Sequence, residues 1–182
     1  MIDTIILDLI NDNSKKKLME IKMHLSTNHI KQPVGIIGTG SPSDDEYMVA
    51  YNIGRLISQM GLKIICGGRS GIMEAACKGV NNEGGISIGI LPETHTENSN
   101  KYVSIPITTG MGLSRNTIIS CSSCFLISIG GSNGTLTEIA YGLQYNKTIF
   151  SIFSKFNLDD TIKFTNYNEL IDNIHEHIKS NY

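Results

Sequence analysis

The sequence predicts an α/β fold: a doubly wound, mainly parallel sheet of Rossmann-like type, arranged as three α/β/α layers. Three observations carry that prediction. Candidate strands alternate with candidate helices almost throughout the chain. The central strands, Val34-Gly-Ile-Ile-Gly38 and Phe125-Leu-Ile-Ser-Ile129 among them, are almost continuously apolar. Such strands are covered on both faces, the condition of a parallel sheet between two helical layers. Finally, Gly38, Gly67-Gly68 and Gly130-Gly131 each follow a strand. Three glycine turns therefore gather on the carboxyl edge of one sheet, where doubly wound folds bind ligands.

The elements follow in order. Residues 14–25 place Leu18, Ile21 and Leu25 at helical spacing with Ser14 as a cap. They form a surface helix within an N-terminal helical extension, residues 1–30. Residues 31–182 then read as a single Rossmann-like nucleotide-binding domain. Strand 34–38 leads through a loop to a helix opened near Asp44 or Asp45 and closed by Gly61. A second strand spans 62–66, a helix 71–82 and a third strand 86–91. The polar stretch 92–101 is a loop. Residues 103–107 form an edge strand, because Pro106 cannot donate to a central ladder. A helix over 114–123, with Ser114 as its cap, precedes the strand 125–129. Helix 134–145, strand 148–152, a short strand at 161–164 and an amphipathic helix over 167–178 complete the chain.

Composition removes several classes of function. With 182 residues, 40% hydrophobic content and 18 glycines, the chain fits one globular core. Fifteen basic and 17 acidic side chains give a net charge of -2, and no basic run exceeds Lys15-Lys16-Lys17. No nucleic-acid footprint is expected. No apolar stretch reaches the roughly 18 residues of a membrane span. The N-terminal MIDTIILDLIND is interrupted by Asp3 and Asp8 and lacks a basic lead, so no signal peptide is expected. The expected location is the cytoplasm, with Cys66, Cys77, Cys121 and Cys124 as reduced, buried, apolar-like groups. Cys121-Ser-Ser-Cys124 falls at a helix end, not at the helix N-terminus that activates redox thiols. No second close pair completes a zinc set, so no metal and no cofactor are expected. His24, His29, His95, His175 and His177 read as surface residues.

The richest stretch is Gly130-Gly-Ser-Asn-Gly-Thr-Leu-Thr-Glu138, which runs from a buried strand directly into a helix. Glycines let backbone amides approach a ligand, and a helix N-terminus offers free N–H groups and a partial positive charge. Gly131, Ser132, Asn133, Gly134 and Thr135 therefore form a candidate phosphate cradle. A carboxylate so close to a phosphate repels it unless it has a role, which singles out Glu138. Gly38-Thr39-Gly40-Ser41 partly matches a dinucleotide fingerprint, but Ser43 stands where its third glycine belongs. A tight turn and a phosphate contact both remain open for it. In Gly67-Gly68-Arg69-Ser70, Arg69 is placed to neutralise a phosphate and Ser70 to cap a helix or donate to an oxygen. Arg115, following Gly110-Met-Gly-Leu-Ser114, opposes the helix dipole. It is expected to be held there by an anion or a carboxylate, and Glu138 is the carboxylate that needs a cation.

These motifs together resemble the Lonely Guy (LOG) family, also labelled "possible lysine decarboxylase". That family carries P-G-G-x-G-T-x-x-E with an upstream arginine. Here Gly131 to Glu138 covers the motif from its first glycine, and Arg115 matches the arginine. Gly130 replaces the motif proline, Ser132 its second glycine, and Asn116 stands where the family's Arg-Lys pair has lysine. The resemblance spans about residues 33–178. GIIGTG, GGRSGIMEAACKG and GLSRN look most similar to the branch that includes the molybdenum cofactor carrier protein.

The resemblance implies hydrolysis of the N-glycosidic bond of a nucleoside 5′-monophosphate, giving free base and ribose 5-phosphate. Glu138 would stabilise the oxocarbenium-like transition state and orient water, and Arg115 would orient Glu138 or hold substrate. It also implies a homodimer or larger homo-oligomer; the apolar faces of helices 114–123 and 134–145 are candidates for the interface. No pyridoxal lysine is evident, so decarboxylation is not implied. The alternative is a binder or carrier of a nucleotide-like or molybdopterin-type phosphorylated ligand without turnover.

Overall fold

Seven parallel strands form one sheet: β1 (Val34–Gly38), β2 (Ile64–Cys66), β3 (Ser87–Leu91), β4 (Ile105–Thr108), β5 (Leu126–Ile129), β6 (Ile149–Ile152) and β7 (Ile162–Lys163). Their order is β4-β3-β2-β1-β5-β6-β7. The computed structural model describes residues 8–28 and 30–182, and the expectations for residues 1–7 and for His29 lie outside the described residues. Lying wholly among the described residues are the helices α1 (Asp12–Thr27), α2 (Asp44–Gln59), α3 (Ile72–Asn82), α4 (Asn116–Ser122), α5 (Asn133–Gln144) and α6 (Tyr167–Asn181). The architecture is the three-layer, Rossmann-like α/β/α fold.

Strand periodicity explains the layers. Val34 and Ile36 of β1, Ile64 and Cys66 of β2, and Ile127 and Ile129 of β5 join a core with α1, α2, α3 and α6. The alternate residues Ile37, Ile65 and Leu126 point to the other face, against Ile119 of α4 and Ile139 of α5. Each central strand thus buries both of its faces, as its apolar run requires. Pro106 lies in β4, the edge strand, which pairs with β3 alone. From β1 the chain winds outward through β2 and β3 to β4, then returns to β5 on the other side of β1. The carboxyl ends of β1 and β5 therefore flank the switch-point crevice.

Several boundaries differ from expectation. Asn11 caps α1, accepting from Ser14 N at 2.9 Å, so Ser14 sits inside the first turn. Asn11 serves because its carboxamide oxygen reaches an amide that has no intrahelical partner. The α2 start is a capping box, Ser43 with Glu46. His175 is buried at 4% exposure, contrary to the surface reading. It faces α1, with Nε2 2.9 Å from Glu20 Oε2, because α1 packs over α6. Lys17 and Asp172 add a 3.0 Å ion pair across the same contact. Cys121 is exposed, while Cys66, Cys77 and Cys124 are buried as expected. Among the described residues, no helix is long and apolar enough to cross a membrane.

Candidate functional site

A cleft of about 290 Å³ opens over the carboxyl ends of β1, β2 and β5. Gly38, Gly40, Arg69, Ser70, Arg115, Asn116, Ser132, Gly134, Thr135 and Glu138 all line it, so residues from four separate sequence segments meet there. Met73 and Leu113 line it too and were not expected. Neither has a chemical signature in sequence; each reads as an ordinary apolar position beside a loop.

The α5 end of the cleft is built by local chemistry. Gly130, at φ 65°, takes the left-handed turn that lets β5 run into α5. Ser132 caps the helix: its hydroxyl accepts from Thr135 N at 3.5 Å, and Thr135 Oγ1 accepts from Ser132 N at 3.2 Å. Leu136 N returns to the Ser132 carbonyl at 2.9 Å, so the amides of Asn133 and Gly134 have no intrahelical acceptor. Those two amides are the groups the turn presents to an anion.

One turn further, Glu138 meets Arg115. Nη1 of Arg115 lies 3.4 Å from Glu138 Oε1, and both side chains are 8% exposed. Arg115 thus points inward rather than into solvent. Its Nη2 donates to the Gly67 carbonyl at 3.4 Å and its Nη1 to Asn116 Oδ1 at 2.5 Å. Its Nε is buried with no hydrogen-bond partner among the described residues. Burial pushes the Glu138 carboxyl up to about 7, against the pull of Arg115. Burial also lowers the Arg115 guanidinium, with Glu138 acting in the opposite sense. Asn116 ties the assembly to α5, donating to Thr137 Oγ1 at 3.1 Å. Ser120 Oγ donates to the Glu138 carbonyl at 2.9 Å.

The expected Thr39, Gly67, Gly68, Gly131 and Asn133 are not among the residues that line the cleft. The Thr39 carbonyl accepts from Ile72 N at 3.1 Å, fastening the first glycine turn to the start of α3. A Cβ on Gly67 would strike the Arg115 guanidinium, so glycine is what admits the arginine there. Gly68 packs against Leu91 and Gly89, and Gly131 against Phe156. Asn133 is exposed at the α5 start. Ser70 does not cap α3; Gly71, at φ 74°, holds the cap position without a side-chain bond. Ser114 does not cap α4. Gly112–Arg115 form a 3-10 turn, which carries the chain into α4 with Arg115 at the cap position.

Arg69 pairs with Glu93. The 92–101 segment is more than a polar loop. Asn100 Nδ2 donates to the carbonyls of Gly68 at 3.1 Å and Arg69 at 2.9 Å, holding the Gly67–Ser70 turn from outside. No local pattern marks Asn100, because its partners lie 31 and 32 positions upstream. Among the described residues, no group of three His, Cys, Asp or Glu side chains is placed to hold a metal ion.

The parallel sheet, the glycine turn into α5 and the inward Arg–Glu pair define a LOG-like Rossmann protein. The chain belongs to the SLOG cluster4 family, whose model matches residues 31–178. It is 42% identical over 119 residues to an uncharacterized protein of Archaeoglobus fulgidus, covering 65% of this chain and 78% of that one. The molybdenum cofactor binding protein of Rippkaea orientalis superposes with a TM-score of 0.74 at 31% identity, covering 83% of this chain and 98% of that one. The molybdenum cofactor carrier protein of Chlamydomonas reinhardtii gives a TM-score of 0.74 at 25% identity, covering 82% and 99% respectively.

Proposed function

We propose that this protein hydrolyses the N-glycosidic bond of a nucleoside 5′-monophosphate, releasing base and ribose 5-phosphate. The observation that carries the reading is the buried Arg115–Glu138 pair one turn inside the α5 anion cradle. The phosphate would accept from the Asn133 and Gly134 amides, with Ser132 and Thr135 beside them. The ribose would then lie over Glu138. As the C1′–N bond lengthens, positive charge grows on the sugar, and an ionised Glu138 stabilises it and orients a water. Water supplies the hydroxyl that bonds to C1′, and its proton ends on the departing base. Arg115 keeps Glu138 in place, and its unpartnered Nε offers a further donor to substrate.

The supported partner is therefore a small phosphorylated ligand, not a nucleic acid. Exposed Leu136 on α5, Tyr145 at the α5 C-cap and Leu113 on the cleft lining support a homodimer or larger homo-oligomer. Sedimentation showing only monomer would remove the assembly.

The second reading is a carrier that binds a molybdopterin-type ligand without turnover. It is favoured by the likeness to the two molybdenum cofactor proteins over nearly the whole of their chains. One experiment separates the two: incubation with a panel of nucleoside 5′-monophosphates, with ribose 5-phosphate measured as product. Release from at least one supports the hydrolase. No release from any, with a thermal shift from a pterin phosphate, selects the carrier.

A further inference from the structure

The cleft carries its positive charge on two arginines, and each already faces a carboxylate. Arg115 meets Glu138 on the floor. Arg69 meets Glu93 at the wall, where the arginine side chain is 46% exposed and the glutamate 16%. Glu93 Oε1 also accepts from Asn98 Nδ2 at 3.3 Å, while Oε2 is buried with no hydrogen-bond partner among the described residues. A partly buried carboxylate with one of its two oxygens buried and unpaired is costly to keep, which points to a role other than stability.

We propose that Glu93 is a specificity-determining residue: by pairing with Arg69 it restricts the cleft to ligands bearing one phosphoryl group and turns away di- and triphosphates. The inference rests on the reading that the cleft binds a phosphomonoester.

The charge count supports it. Arg69 and Arg115 contribute two positive charges, and Glu93 and Glu138 two negative ones, so the sum is zero with Glu138 ionised. One phosphomonoester brings about -1.5 to -2 at neutral pH, which two guanidiniums and two helix amides can meet. Every further phosphoryl group adds negative charge beside Glu93 with no lysine or additional arginine among the lining residues to receive it. Like charges in a partly buried site repel strongly, and such repulsion is how a site rejects a close analogue. The arrangement is also fixed in place. Asn100 binds the Arg69 carbonyl at 2.9 Å, and the Glu93 carbonyl accepts from Gly110 N at 3.0 Å. Arg69 therefore stays within reach of its carboxylate.

The test is equilibrium binding of AMP, ADP and ATP to the full chain and its variants. Wild type is expected to favour AMP over ATP by about tenfold or more. Glu93→Gln is expected to tighten ATP about tenfold and AMP less than about threefold, narrowing the preference. Glu93→Asp keeps the charge and should keep the wild-type order. Ser70→Lys, at an exposed position of the lining, adds a cation without touching Glu93 and should narrow the preference in the same direction. This second variant decides the matter if Glu93→Gln does not fold. Wild type binding ATP as tightly as AMP overturns the inference. So does an unchanged AMP-to-ATP ratio in Glu93→Gln, or in Ser70→Lys where that variant stands in for it, while AMP binding persists. Failure of wild type to bind AMP, ADP, ATP or ribose 5-phosphate is a different result: it removes the phosphomonoester reading and this inference with it.

Discussion

Arg115, at the cap position of α4, and Glu138, in the second turn of α5, stand 3.4 Å apart, each with a side chain 8% exposed. The pair is a single-point contact, so it offsets only part of the desolvation of either group. Burial still wins at Glu138, whose carboxyl is pushed up to about 7. The result is a carboxylate poised near neutrality beside an anion cradle.

Stability should fall with rising pH through this one group. Glu138 has an ordinary value of 4.5 and a folded value of about 7, so between them the folded chain holds a proton that the unfolded chain has released. Its stabilising effect is full below 4.5 and is lost as pH rises through about 7. The displacement corresponds to roughly 3 kcal/mol. Denaturant unfolding of wild type and Glu138→Gln from pH 4 to 8 should show the variant flatter by that order. Parallel curves would show that Glu138 titrates normally.

Gly67→Ala should damage binding more than folding. The added methyl meets Arg115 Nη2 and, at 2.7 Å, Met73 Sδ. Both are ends of long side chains, so the displacement falls on the arginine rather than on the sheet. A stability loss of about 1–3 kcal/mol is expected from overpacking. Affinity for ribose 5-phosphate, followed by calorimetry, should drop about tenfold as Arg115 is moved off its post. Unchanged affinity would mean that Arg115 does not contribute to the ligand site.

Asn100→Ala should loosen the outer wall. It removes two donations, to the carbonyls of Gly68 and Arg69, and leaves Tyr102 N without its 3.1 Å side-chain acceptor. A cost of about 1–3 kcal/mol follows, together with faster hydrogen exchange at residues 67–70. Exchange that stays at wild-type rates would place the support of that turn elsewhere.

The parts of the fold governed by local rules were legible in the sequence. The continuous apolar runs of β1 and β5, the edge position of Pro106 and the turn into α5 all depend on side-chain pattern or backbone chemistry within a few residues. The need of Glu138 for a cation was also legible, because charge and helix position state it. Asn100, Glu93 and Met73 were not legible as site residues, since their roles depend on folding that brings β3, its following segment and α3 against one turn. Ser114 misled because its cap signature is genuine, but the 3-10 turn at Gly112–Arg115 moves the helix start by two residues. His175 misled because its partner, Glu20, lies 155 positions away on α1.

The most direct measurement is ribose 5-phosphate release from nucleoside 5′-monophosphates by wild type and Glu138→Gln side by side, across pH 5 to 9. Wild-type turnover should rise through about pH 7 as Glu138 ionises, and the variant should be slower by about 10²–10⁴-fold. Release by wild type that the variant matches would contradict the role given to Glu138, and no release by wild type would contradict the hydrolase itself.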